Sequence, residues 1–181
     1  SLKRIYKKVD CINTNKILPF HNFSYKLFYH LSPKLFEKHL DYFFYQKIKK
    51  KYDLVYIHNS EFITDNALDH LKKNTRRTLF YCNDNPFVNR DKKRWFFFNR
   101  NSKKYDLVVF IIKSRLKLAK ERGLKRYISV IPPYFKNVIS KNKLCIDKRP
   151  KYKDDIVFVG TWFPERGNFF SKLKNLGLNF K

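Results

Sequence analysis

Apolar residues in this chain fall in short unbroken runs, not in alternation with polar ones. The runs are Leu54-Val55-Tyr56-Ile57, Leu79-Phe80-Tyr81-Cys82, Leu107-Val108-Val109-Phe110-Ile111 and Ile128-Ser129-Val130-Ile131. Continuous runs of this length mark strands buried on both faces, and so a parallel sheet. They predict strands over residues 53–58, 78–82, 106–111 and 127–131. Between them the apolar residues recur at helical spacing. Ser32 and Pro33 read as N-cap and first residue of a helix that runs to about Lys50, with Leu35, Phe36, Leu40, Phe43, Phe44 and Ile48 giving an apolar face. Thr64 caps a second helix, and residues 91–104 carry a third with Trp95, Phe96 and Phe98. A fourth starts at Ser114 and stops at Gly123. Strands alternating with helices predict an α/β, Rossmann-like, doubly wound parallel sheet with helices on both faces.

Two stretches flank this pattern. Residues 3–15 hold a remnant strand around 5–11, and residues 22–29 read as a short helix or a buried loop. After Pro132 and Pro133 comes a lysine-rich segment with no clear period, residues 134–153. Then Ile156-Val157-Phe158-Val159 runs into Gly160, and Pro164 opens a helix with Phe169, Phe170, Leu173 and Leu176 on one face. The division expected is an N-terminal Rossmann-like domain over 1–133, a linker over 134–153, and the first β-α unit of a second Rossmann-like domain over 154–181. A strand–glycine–helix junction aims main-chain N–H groups at the strand's carboxyl end, where anions bind. The plain alternative is a tight turn.

Charge complicates the picture. The 181 residues carry a formal net charge of +26. Such an excess suits an anionic partner: a membrane surface, a phosphate-bearing ligand or a nucleic acid. Yet the lysines are scattered through every segment, as compositional drift scatters them, and most aromatics fall at core positions. Nucleic acid is therefore the least favoured partner. With 43% hydrophobic and 18% aromatic residues the chain can fill a core. Cys11, Cys82 and Cys145 lie far apart, which suits reduced thiols in the cytoplasm. The histidines lack metal-ligand spacing, so no metal site is expected. No apolar run is long enough for a transmembrane helix, and the start has no signal-peptide core. With no methionine and a strand-like end, the chain reads as a fragment cut at both ends.

Several of these stretches resemble one enzyme family. Val159-Gly160-Thr161-Trp162-Phe163-Pro164-Glu165-Arg166-Gly167 is similar to the segment that opens the donor domain of group 1, family-4-type GT-B glycosyltransferases. It is closer still to their CgeB-like, spore-maturation branch. Tyr81-Cys82-Asn83-Asp84-Asn85-Pro86 stands where such enzymes have a strand ending in His-Asp. Ile111-Ile112-Lys113-Ser114 resembles their strand-to-serine junction, and Val130-Ile131-Pro132-Pro133 resembles the segment that closes their N-terminal domain. The likeness covers roughly residues 50–181. Thr161 and Asn83 stand where the family has arginine and histidine.

The resemblance implies a metal-independent transferase that moves a sugar from a nucleotide-sugar donor to a glycan or lipid-linked acceptor. It implies no cofactor, a cytoplasmic site of action, and peripheral attachment to an anionic membrane face. The fragment alone would be inactive. Gly160, Thr161 and Arg166 would meet the donor phosphates, with Arg166 otherwise a surface residue at a helix start. His58, Asn59, Asn83, Asn85 and Ser114 would line the acceptor side of the cleft; for His58 and Asn59, with Glu61 beside them, the plain alternative is a solvated loop. Asp84 would accept the acceptor's proton or hold a sugar hydroxyl. Against that stands turn chemistry, since Asn-Asp-Asn-Pro is a strong turn former. The rival to the whole reading is a basic α/β module that binds nucleic acid or another anion without catalysis.

Overall fold

The structure is a computed structural model, and it describes residues 6, 8–14, 17–88, 91, 93–131 and 164–177. The chain divides into two compact units, Ser1–Pro132 and Pro133–Lys181. The first is α/β. It opens with α1 (His21–Lys26), which runs into a π-helical turn at Leu27–Leu31, and a 3-10 turn at Pro33–Phe36 that leads into α2 (Glu37–Lys47). Then follow β1 (Tyr52–His58), α3 (Asp65–Lys73), β2 (Thr75–Cys82), α4 (Phe96–Asn101), β3 (Leu107–Phe110), α5 (Arg115–Glu121) and β4 (Tyr127–Ser129). All pairings are parallel, in the order β1-β2-β3-β4. The expected Rossmann-like parallel sheet is therefore present.

Its winding runs in a single direction. A doubly wound sheet reverses its strand order part-way. Here each strand lies beside its predecessor, and right-handed crossovers then keep the connecting helices on one face. The side chains agree. Ile57, Phe80, Cys82, Val108 and Phe110 join a single buried cluster with Leu40 and Phe44 of α2, Leu68 and Leu71 of α3, Phe97 and Phe98 of α4, and Ala119 of α5. The opposite face carries Tyr56 and Ile128, 39% and 44% exposed. A second winding is not seen among the described residues.

Local chemistry fixes the elements. Thr64 accepts the Ala67 N–H at 3.0 Å as N-cap of α3, and its hydroxyl donates to the buried Asp41 of α2. Asn66 Nδ2 donates to the same carboxylate at 2.8 Å, so α2 and α3 share one anion. Pro33 opens a 3-10 turn, not an α-helix, and the Ser32 hydroxyl accepts the Lys34 N–H at 3.3 Å. Ser114 precedes α5 without capping it. The described residues of the expected N-terminal strand, 6 and 8–11, form no strand. The linker and the strand expected at 156–159 lie outside the described residues. In the second unit Pro164–Asn175 forms α6, and Gly177 follows it at φ 77°, a left-handed conformation that suits glycine. No helix among the described residues is long and apolar enough to cross a membrane.

Asp106 ties β2 to the start of β3. Its carboxylate accepts the Thr78 N–H at 2.8 Å and the Thr78 hydroxyl at 2.9 Å. Burial pushes this carboxyl up, but the two Thr78 bonds, helped by Lys72 and Arg77, outweigh that and hold it below its ordinary value of 3.8. A depressed carboxylate contributes stability above its unfolded value and loses it as pH falls through its folded one. Asp106→Asn should therefore destabilise the protein at pH 7. The gap to wild type should close as pH drops below 3.8. Urea unfolding of both proteins across pH 7 to 2.5 measures it; a gap that stays constant would mean that Asp106 acts only through its shape.

Candidate functional site

The polar groups at the carboxyl ends of β1 and β2 converge. β1 ends at His58, and Asn59 then turns the chain at φ 51°, in the left-handed region that asparagine tolerates better than most residues. Its N–H donates to the Tyr81 carbonyl at 2.8 Å, so the turn stays stitched to β2. Its side chain reaches across to the loop after β2. Asn59 Oδ1 accepts the Asn83 N–H at 3.0 Å, and Asn59 Nδ2 donates to Asp84 Oδ2 at 3.1 Å. Asn83 is exposed, and its Nδ2 lies 3.1 Å from His58 Nε2.

Arg94 closes the cluster from the segment that leads into α4. One of its guanidinium N–H groups donates to Asp84 Oδ2 at 3.1 Å, while its Nε stands 3.7 Å from Glu61 Oε1. Its plane lies over the Trp95 ring, 4.8 Å from the centroid. Glu61 is buried and accepts the Tyr29 hydroxyl at 2.5 Å. Burial first, and then the Glu61 charge, push the Tyr29 hydroxyl well above its ordinary value, so it remains a donor. One guanidinium thus faces two carboxylates. Asp84 Oδ2 is taken by two donors, while Oδ1 has no partner among the described residues. That oxygen is free to accept a hydroxyl.

The sequence-predicted residues divide. His58, Asn59, Asn83 and Asp84 come together. Asn85 does not belong with them. It is buried, and its Oδ1 accepts the Phe87 N–H at 3.3 Å, which is an Asx turn. Ser114 is exposed at the end of the next strand's loop, with no hydrogen bond to the cluster among the described residues. Gly160 and Thr161 lie outside the described residues. Arg166 sits half-buried in the first turn of α6, in the second unit.

Two members of the cluster escape a reading of the sequence. Arg94 follows a run of basic residues with nothing to single it out, and Tyr29 lies in the aromatic stretch before α2. Cys82 is near but inert. Burial pushes its thiol up to about 12, so it is not a nucleophile at neutral pH. Among the described residues no group of three His, Cys, Asp or Glu side chains is placed to hold a metal ion.

Comparison with known proteins adds no relative. The chain matches no family model, no curated protein and no solved structure.

Proposed function

We propose that this chain is the acceptor-side part of a GT-B glycosyltransferase, one that transfers a sugar from a nucleotide-sugar donor to a glycan or lipid-linked acceptor. The observation that carries the reading is the Asn59–Asp84–Arg94–Glu61 network at the carboxyl edge of adjacent parallel strands. Ligands of open α/β sheets bind at that edge. Planar amide, carboxylate and guanidinium groups held against one another match the paired hydroxyls of a sugar. Asp84, with one oxygen fixed and one free, is the group to receive the acceptor hydroxyl. Arg166 and the junction before it would meet the donor's phosphates, where negative charge grows as the glycosidic bond breaks. In this reading the donor base and sugar bind to the second domain, so transfer belongs to the intact enzyme.

The test has two arms. Saturation-transfer NMR with oligosaccharides on the present chain should show sugar contact that Asp84→Ala abolishes. Release of nucleoside diphosphate from UDP-, GDP- and dTDP-sugars by the intact enzyme should drop about 10²–10⁴-fold in the same variant, the range of a positioned acid–base group. Unchanged turnover in a folded Asp84→Ala enzyme would leave Asp84 as a turn residue and remove the reading's main support.

A further inference from the structure

Apart from His58 at its end, the free edge of β1 is unused by the proposed site. β1 ends the strand order, so alternate main-chain N–H and C=O groups point away from β2. Among the described residues no strand pairs with that edge. A cavity of about 960 Å³ runs along the whole strand, from Lys50 to His58 and Ser60. Residues 8–12 and Thr14 also line it. That segment is tied to the base of β1, where Lys50 Nζ and the Tyr52 hydroxyl meet Asp10 at 3.1 and 3.2 Å. No main-chain hydrogen bond joins it to β1 among the described residues. The result is a slot with one wall made of unpaired strand backbone.

Unpaired edges are templates for another strand, and native proteins blunt them with charge or cover. Here the charge has a sign. Five cations line the slot against two carboxylates, and Asp10 is already engaged by Lys50. Lys51, Lys73 and Arg76, around the starts of β1 and β2, have no counterion among the described residues. Farther along, Ile57 and Ile63 are buried while Leu54 and Tyr56 are more open, so the walls offer apolar surface on both sides of an entering chain. A second copy is a poor occupant. Each copy carries +26, and two like edges would bring their lysines together.

We propose that the free edge of β1 receives an extended acidic segment of a partner protein as an added strand. Its main chain pairs with β1, its acidic residues lie over Lys51, Lys73 and Arg76, and its alternate side chains enter the slot. This is strand addition, in which backbone bonds give affinity and side-chain pockets give selectivity. It is independent of the glycosyltransferase reading.

Fluorescence anisotropy on the 181-residue chain tests it. The probes are two heptapeptides of alternating valine and threonine with two glutamates, at the N-terminal end in one and the C-terminal end in the other. One should bind and slow amide exchange in β1. N-methylation of its alternate amides should cost at least about tenfold, because the charge stays while the ladder is lost. Lys51→Glu with Arg76→Glu should cost a similar factor. Lys117→Glu with Lys120→Glu, the same charge change on exposed positions of α5, should not. Equal binding of the N-methylated peptide, equal loss in the α5 variant, or no binding of either peptide would overturn the proposal. So would self-association that Lys51→Glu with Arg76→Glu abolishes, or polygalacturonate displacing the peptide from the edge at equal charge.

Discussion

Phe80→Ala should destabilise the protein by about 3–5 kcal/mol, the range for deleting a fully buried phenylalanine. Phe80 stands on β2, which is flanked by β1 and β3, and is 0% exposed. Its ring lies 4.6 Å from Phe98 and 5.1 Å from Tyr105, centroid to centroid. Those partners come from α4 and from the lead into β3, so one side chain joins the sheet to two separate connections. The truncated site cannot collapse easily. Phe98 is held from its other sides by Trp95 and Phe87, and α2, α3, α4 and α5 pack on this one face of the sheet. A domain stable by about 5–15 kcal/mol would lose a large part of that margin. Phe23→Ala, at a position 65% exposed, is the control and should stay within about 0.5 kcal/mol of wild type. Urea unfolding of the three proteins decides the matter. A loss below about 1 kcal/mol in Phe80→Ala would mean that the face around Phe80 is not a packed core.

The same packing shows what a reading of the sequence reaches. Short, mostly apolar runs located the four described strands, although among the described residues only one face of the sheet is packed by helices and Tyr56 and Ile128 stay open on the other. Thr64 marked the start of α3, because a hydroxyl three residues before a free N–H is a local fact. Strand order is not local. Nothing in Leu107-Val108-Val109-Phe110 says whether its neighbour precedes or follows it in the chain, and so the single direction of winding was not legible. A strand was expected around residues 5–11, but a strand exists only through a partner, and among the described residues no ladder is made there. At the site, Asn59 and Asp84 were legible as polar residues at strand ends. Asn85 looked the same in sequence, but its side chain closes an Asx turn with the Phe87 N–H. Tyr29 and Glu61 are 32 residues apart and meet through the packing of α1's continuation against the loop after β1. No spacing rule connects them.

Arg94→Ala should cost about 3 kcal/mol, more than an ion pair on the surface would. Exposed pairs contribute roughly 0–1 kcal/mol, whereas removing one partner of a buried pair costs about 3–5 kcal/mol because a charge is left uncompensated. Arg94 lies between these limits. Its side chain is 28% exposed and that of Asp84 31%, which admits water, but that of Glu61 is only 11% exposed. Without Arg94, Glu61 would keep the Tyr29 hydroxyl as its hydrogen-bond donor, and a single neutral donor does not balance a buried carboxylate. The loss should therefore come mainly from Glu61. Adding Glu61→Gln to Arg94→Ala should restore part of the stability, since a neutral amide needs no counter-charge, and the double variant should be more stable than Arg94→Ala alone. Arg94→Lys should recover less than half of the loss. An ammonium is a point charge and cannot face Glu61 and Asp84 at once as the guanidinium does. Under the proposed function the ranking for sugar binding differs: the double variant regains stability but not binding, because Asp84 still lacks the cationic one of the two donors that fix Oδ2. Equilibrium unfolding at pH 7, set beside saturation-transfer NMR on the same variants, separates the two roles. If Arg94→Ala falls within about 0.5 kcal/mol of wild type, the guanidinium is a solvated surface group and the carboxylates beside it are balanced by water.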